Sequence, residues 1–216
     1  MNILFIVNGN CENIPNILPK DYFLSFDKII CVDGGLNNLY KINKNYIPHY
    51  IFGDFDSIDQ KILDNYKSNF TKIILKDNQD ESDLFFSLKY ILDKYKQNIN
   101  KIIILCGTGD RFDHTLCTLL TLKYIPNKIK CKIIGDNEEI YLLKDKLEIE
   151  NKKGKTLSII PLTNVKEICC NDLKWPLNKI DLDFGFVGGI SNIIEKDKIT
   201  ITLKNGLAVI IINRYL

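Results

Sequence analysis

Over the first two-thirds of the chain, short runs of near-continuous Ile, Val and Leu alternate with helix-like stretches. No other feature constrains the fold as strongly. The runs are Ile3–Val7, Lys28–Val32, Tyr50–Phe52, Lys72–Leu75, Lys101–Cys106 and Lys130–Ile134. Strands of this composition are covered on both faces. Between them, Ser82–Lys96 repeats Leu84, Leu88, Ile91, Leu92 and Tyr95 at steps of three and four. His114–Tyr124 does the same with Leu116, Leu119, Leu120 and Tyr124. That spacing gives each helix an apolar face, and the alternation as a whole predicts an α/β domain with a doubly wound, mainly parallel sheet.

After Gly135-Asp136-Asn137 the pattern changes. Ile140–Leu143, Leu147–Glu150, Thr156–Ile160, Val165–Cys169, Ile190–Glu195, Ile199–Leu203 and Ala208–Ile212 are short and rich in β-branched residues. Turn-like residues separate them, and Lys204-Asn205-Gly206-Leu207 carries a two-residue hairpin signal. The division expected is an α/β domain over 1–138 and an all-β sandwich or barrel over 139–216. So small a β module needs a partner surface, so a homodimer is expected.

With 45% hydrophobic and 26% charged residues, the composition is globular and excludes wholesale disorder. The formal charge is +2, which gives no support for nucleic-acid binding through a basic surface. No apolar run approaches the roughly 20 residues of a membrane helix. Asn8-Gly9-Asn10 cuts the first apolar run short, which reads as a strand rather than a secretion signal. Seven cysteines without a C-x-x-C pair read as thiols of a reducing cytoplasm rather than a disulfide frame or zinc site.

Four loops carry residues suited to chemistry, each directly after an expected strand. In Gly53-Asp54-Phe55-Asp56-Ser57, extended chain points Asp54 and Asp56 to one side. Two carboxylates at ~5 Å repel by roughly 3 kcal/mol at an effective dielectric of ~20, and Mg²⁺ relieves that repulsion. The alternative is a solvated loop with Ser57 capping a helix. Asn78-Gln79-Asp80-Glu81-Ser82-Asp83 opens the next helix, either as an acidic cap or, with Asp80 and Asp83 on one face, as the completion of a metal site. Gly107-Thr108-Gly109-Asp110-Arg111-Phe112-Asp113-His114 joins a strand to a helix N-terminus. It is either an ordinary turn or a phosphate cradle with Arg111 as its fork. It matches neither a Walker A loop nor a dinucleotide fingerprint. Val32-Asp33-Gly34-Gly35 allows close backbone approach and positive φ. His114 reads as a first-turn hydrogen-bonding residue, and His49 has no visible partner. Together these loops point to a metal–polyphosphate site at one edge of the sheet.

In order and spacing, from about residue 30 to 195, these motifs resemble the thiamine pyrophosphokinase (thiamin diphosphokinase) family. The matching residues are Asp33-Gly34-Gly35, Gly53-Asp54-Phe55-Asp56-Ser57, Gln79-Asp80-x-Ser82-Asp83, Arg111-x-Asp113-His114, Pro161-Leu162, Leu173-Lys174-Trp175-Pro176-Leu177 and Ser191-Asn192. The resemblance implies pyrophosphoryl transfer from ATP to the hydroxyethyl oxygen of thiamine, giving thiamine diphosphate and AMP in a homodimer. It implies that Asp54, Asp56 and Asp83 hold Mg²⁺ and that Asp33, Gly34, Gly35, Gly107, Thr108, Gly109 and Arg111 bind ATP. Gln79, Asp80, Asp113, Trp175, Ser191 and Asn192 are implied for thiamine, and Asp54, Asp83, Arg111 and Asp113 for catalysis, Asp113 as an optional base. Asp110, Ser82 and Phe86 depart from the family pattern, which usually has Gly, Thr and Lys there. The alternatives are a metal-dependent phosphohydrolase or nucleotidyltransferase, and a non-catalytic thiamine or nucleotide sensor.

Overall fold

Six strands, β1 (Asn2–Ile6), β2 (Lys28–Val32), β3 (Tyr50–Gly53), β4 (Lys72–Leu75), β5 (Lys101–Leu105) and β6 (Lys130–Ile134), form a parallel array in the computed structural model. The structure describes residues 1–67, 71–76 and 80–214. It divides into two units, Met1–Asp136 and Asn137–Leu216. In the first unit the strand order is β6-β5-β1-β2-β3-β4. From β1 the chain builds outward through β2, β3 and β4, then returns to the other side of β1 to lay down β5 and β6. The connections therefore diverge at β1 and β5, and ligands bind at such a switch point beyond the carboxyl ends of the strands.

Ile3, Leu4, Phe5 and Ile6 are all fully buried, as runs covered on both faces require. Each such side chain contributes about 1.5–3 kcal/mol. Helix α4 (Asp83–Tyr95) buries Leu84, Leu88 and Ile91, in keeping with its spacing. Three more helices, α1 (Ile14–Ile17), α2 (Gly35–Asn43) and α3 (Gln60–Tyr66), have no bounds in the sequence reading. They are short, and α2 is rich in Asn, with Leu36 and Leu39 as its buried apolar residues. Helix α5 (Phe112–Thr121) overturns an expectation. Leu116, Leu120 and Tyr124 face outward with Phe112, whereas Thr118, Thr121 and Leu122 are buried. Periodicity finds an apolar face but does not say what covers it.

His49 has the partner that the sequence hides. Its Nδ1 accepts from the Ile29 N–H at 3.1 Å, and its backbone N–H donates to the Ile29 carbonyl at 2.8 Å. Burial, and then the charge of Lys28, holds the imidazole below its usual range. The unfolded chain therefore takes up a proton first. Stability from this group is present above about pH 6.5 and declines as pH falls toward the folded value. Thermal melts between pH 7 and 5 should show a smaller loss for His49→Asn than for wild type.

The second unit comprises β7 (Glu138–Leu143), β8 (Lys146–Glu150), β9 (Thr156–Pro161), β10 (Val165–Cys170), β11 (Leu177–Leu182), β12 (Asn192–Ile193), β13 (Lys198–Thr202) and β14 (Ala208–Asn213). Two antiparallel sheets, β12-β9-β14-β7 and β11-β10-β13-β8, share a core that includes Leu143, Ile149, Leu157, Ile168, Ile201 and Ile210. The module is thus a β-sandwich. Asn205-Gly206 does not close a hairpin, because β13 and β14 lie in different sheets. The Asn205 carbonyl instead accepts from Lys166 N–H, and Gly206 sits at φ +108. A side chain there would overlap the Asn164 carbonyl. Strand β11 pairs with β10 through two register shifts and is mostly exposed, without a regular apolar–polar alternation to reveal it. All seven cysteines are free, four of them buried. Among the described residues, no helix is long and apolar enough to cross a membrane.

Candidate metal and phosphate site

The carboxyl ends of β1 to β5 surround a cleft of about 830 Å³. Its described lining carries eight carboxylates (Asp33, Asp54, Asp56, Asp80, Glu81, Asp83, Asp110 and Asp113) against two permanent cations, Lys76 and Arg111. So acidic a cleft repels a polyphosphate unless further cations accompany it.

Ligand oxygens of Asp33, Asp54 and Asp83 all lie within 4.8 Å of one another. They follow β2, follow β3 and open α4, so residues 50 positions apart meet at one edge. Each pair repels by roughly 3 kcal/mol at an effective dielectric of ~20. Oδ1 of Asp33 is buried without a hydrogen-bond donor, and buried Oδ1 of Asp83 has the Lys76 ammonium at 3.2 Å but no aligned hydrogen bond. An all-oxygen donor set with unsatisfied buried lone pairs fits a hard divalent cation. Burial, reinforced by the charges of Asp56 and Asp83, raises the pKa of Asp33, against the lowering effect of the Ser57 hydroxyl and the Gly34 N–H.

Asp56 is not in this trio, contrary to the two-apart reading. Phe55 lies at φ +68, so the segment is not extended and Asp54 and Asp56 do not share a face. Asp56 stays on the cleft wall, exposed. Asp80 also lines the cleft, but α4 begins at Asp83, so the two share no helical face. Ser82 acts as the cap, accepting the Phe85 N–H at 3.2 Å. Phe86 packs edge-on against Phe52, a core role. Gln79 lies outside the described residues.

In Val32-Asp33-Gly34-Gly35 the positive φ falls on Asp33, at +46, and not on a glycine. Gly35 is required for contact instead, since a Cβ there would overlap the Ile6 carbonyl. Positive φ recurs at Phe55 and at Cys106, +59, so three non-glycine residues turn sharply just beyond β2, β3 and β5. Such strain persists where surrounding structure over-determines it, commonly at functional sites.

Ser57 caps no helix, because Asp59 takes that role for α3, accepting the Lys61 N–H at 2.8 Å. The Ser57 hydroxyl donates to Asp33 Oδ2 and accepts from Gly34 N–H (3.0 Å) and Asn8 Nδ2 (3.2 Å). Asn8-Gly9-Asn10, read from sequence only as the end of a strand, is a wall of the site. Gly9 N–H donates to the Cys106 carbonyl (3.0 Å) and Asn10 N–H to the Thr108 carbonyl (2.8 Å). Asn10 Nδ2 donates to Asp110. Buried Asn38 holds this segment from below, donating to the Val7 and Gly9 carbonyls at 2.8 Å each. Asp136 accepts from the N–H groups of Glu12, Asn13 and Ile14. Only three-dimensional proximity identifies these residues, since none belongs to a motif.

The Gly107-Thr108-Gly109 loop is thus braced, and the Gly109 N–H is engaged by Thr115 Oγ1 at 3.1 Å. Arg111 reaches no other described acidic group than Asp113, through Nε at 3.3 Å and a terminal nitrogen at 2.6 Å. Both are exposed, and the guanidinium holds the Asp113 carboxyl below its usual range. A carboxylate so paired is a weak base.

In the β-sandwich unit, Trp175 is 55% exposed, with Lys174 Nζ 4.9 Å from its ring centroid. Asn192 accepts the Trp175 N–H at 3.1 Å and donates to the Trp175 carbonyl at 2.7 Å. Its amide therefore positions Trp175. Ser191 adopts φ +59, its N–H bonded to Ser158 Oγ.

Comparison with known proteins gives a consistent result. Residues 20–134 match the family model described as thiamin pyrophosphokinase, catalytic domain, and residues 144–208 match thiamin pyrophosphokinase, vitamin B1 binding domain. The chain is 29% identical over 195 residues to thiamine pyrophosphokinase 1 of Arabidopsis thaliana, covering 80% of this chain and 73% of that one. It is 28% identical to thiamine pyrophosphokinase of Bacillus subtilis over 98% of both chains. The crystal structure of the Bacillus subtilis thiamine pyrophosphokinase superposes with a TM-score of 0.82 at 25% identity over the full length of both. Thiamin pyrophosphokinase from Candida albicans gives 0.82 at 24% identity, covering 99% of this chain and 89% of that one, and so speaks to the fold.

Proposed function

Because the chain belongs to the thiamin pyrophosphokinase family, we propose that it transfers a pyrophosphoryl group from ATP to the hydroxyethyl oxygen of thiamine, releasing AMP. The observation that carries this reading to its own residues is the convergence of Asp33, Asp54 and Asp83 at the switch point of the sheet. We assign these three to Mg²⁺, with Asp56 on the adjoining wall. A bound Mg²⁺ supplies charge neutralisation to the polyphosphate at which the alcohol attacks.

The remaining work falls to the chain. Gly34, Gly35, Gly107, Thr108 and Gly109 bring backbone close to the phosphates, and Arg111 turns its fork from Asp113 to phosphate oxygens. The thiamine oxygen attacks the β-phosphorus in line, and AMP leaves with the electrons of the broken P–O bond. An alcohol attacking through a loose transition state needs little prior deprotonation. Asp113 therefore orients the hydroxyl and, once Arg111 has turned away, accepts its proton late. Asp80 and Gln79 stand as thiamine contacts. Exposed Trp175 offers an aromatic face to the cationic thiazolium, and Ser191 and Asn192 shape the turn beside it.

A homodimer fits the exposed apolar surfaces. Phe112, Leu116, Leu120 and Tyr124 form a stripe at steps of four in the first unit, while Phe184, Phe186, Val187 and Ile190 are exposed in the second. A second copy covers both kinds of surface. The seven free thiols favour the reducing cytoplasm.

A product-resolved assay tests the reading. Protein with ATP, Mg²⁺ and thiamine should release AMP and thiamine diphosphate in equal amounts, with no AMP when thiamine or the metal is omitted. Release of ADP or phosphate without thiamine diphosphate overturns it in favour of a phosphohydrolase.

A further inference from the structure

Among the described residues, Lys76 is the one lysine on the cleft wall and the one lysine that is buried, 4% exposed, whereas lysines ordinarily snorkel to water. Its backbone extends the β3–β4 pairing, with its N–H donating to the Gly53 carbonyl at 3.1 Å. Strand alternation then turns Leu75 outward and Lys76 inward, beside the residue that follows Gly53, Asp54. Its Nζ lies 3.2 Å from Asp83 Oδ1, at ion-pair distance but without hydrogen-bond alignment. Thus one ammonium stands against Asp83, a member of a trio of carboxylates whose charge a single cation offsets only in part.

We propose that Lys76 is a cation built into the carboxylate cluster: a positioning residue that holds Asp83 in place before a divalent ion enters, then competes with that ion and sets how tightly it is held. The inference rests on the reading of Asp33, Asp54 and Asp83 as ion ligands. Two cations within one cluster repel, and the ammonium, poorly aligned on Asp83, is the one able to yield. The ion is therefore held loosely by the empty protein and gains its full hold only with the phosphates it accompanies, whose charge offsets both cations.

The test is Mn²⁺ binding to the full chain without nucleotide, followed by electron paramagnetic resonance, with thermal melts alongside. In Lys76→Gln the ion should bind about tenfold tighter than in wild type. The variant should melt lower than wild type without Mn²⁺ and recover with it. Lys76→Arg, which keeps the charge, should stay within about threefold of wild-type affinity. Unchanged or weaker Mn²⁺ binding in Lys76→Gln overturns the proposal, as does a lowered melting temperature that the ion does not restore, which marks a purely structural lysine. If Lys76→Gln does not fold, the ammonium resonance of Lys76 in isotope-labelled wild type is followed instead: a shift on adding Mg²⁺ supports competition and an unmoved signal refutes it. Wild type that binds no Mn²⁺ at all is a different result, since it removes the ion-ligand reading itself.

Discussion

Asp54→Asn should lower the rate of AMP-forming transfer by at least about a thousandfold, roughly 4 kcal/mol of transition-state stabilisation. Its melting temperature should stay level or rise. The two outcomes share one cause. Asp54 sits in a trio of mutually repelling carboxylates, so the isosteric amide relieves repulsion in the folded protein while removing a charged ligand. Single-turnover assays with products separated, together with thermal melts, measure both. Asp56→Asn is the informative comparison. Asp56 lies outside the trio, and its neutralisation should cost no more than about tenfold. Equal losses at the two positions would favour the pairing of Asp54 with Asp56 that the sequence suggests.

Gly9→Ala should destabilise the protein by about 2–4 kcal/mol and lower its melting temperature by roughly 10 °C. A methyl group at Gly9 would overlap the carbonyl oxygens of Cys106 and Thr108, both backbone atoms that cannot rotate away. Relief requires the Asn8–Asn10 segment to lift from β5. That motion breaks the Gly9–Cys106 and Asn10–Thr108 hydrogen bonds and strips Asn8 from the Ser57 hydroxyl. Affinity for ATP should fall along with stability, measurable by calorimetry below the new melting point. Gly154→Ala provides the control. It has open space around it and φ +81, so only the backbone strain of about 1–2 kcal/mol remains.

Both predictions mark where one-dimensional reading stops. The strand–helix alternation, the switch to an all-β second unit and the acidic and glycine-bearing loops were legible, because each rests on local pattern or on neighbours within a few residues. Asp54 and Asp83 were legible as candidate ligands for the same reason. Asp33 reads from sequence as part of a glycine turn and, by the resemblance, as an ATP contact. Its place in the trio follows from the adjacency of β2 and β3 and from its own φ of +46. The alternative reading of Ser57 as a helix cap fails because its three partners, Asn8, Asp33 and Gly34, are all distant in sequence. The α5 stripe was assigned to the core because periodicity carries no information about which surfaces remain open.

The sequence by itself determined the kinds of element, the family and the inventory of charged and flexible residues, since these depend on side-chain chemistry and short-range spacing. Tertiary structure decided which carboxylates meet, that a buried lysine pairs with one of them, Asp83, and that an Asn-Gly-Asn turn, legible in sequence only as the end of a strand, braces the phosphate loop. Those outcomes depend on strand order and on a few backbone angles, and parallel strands bring together residues separated by entire helices.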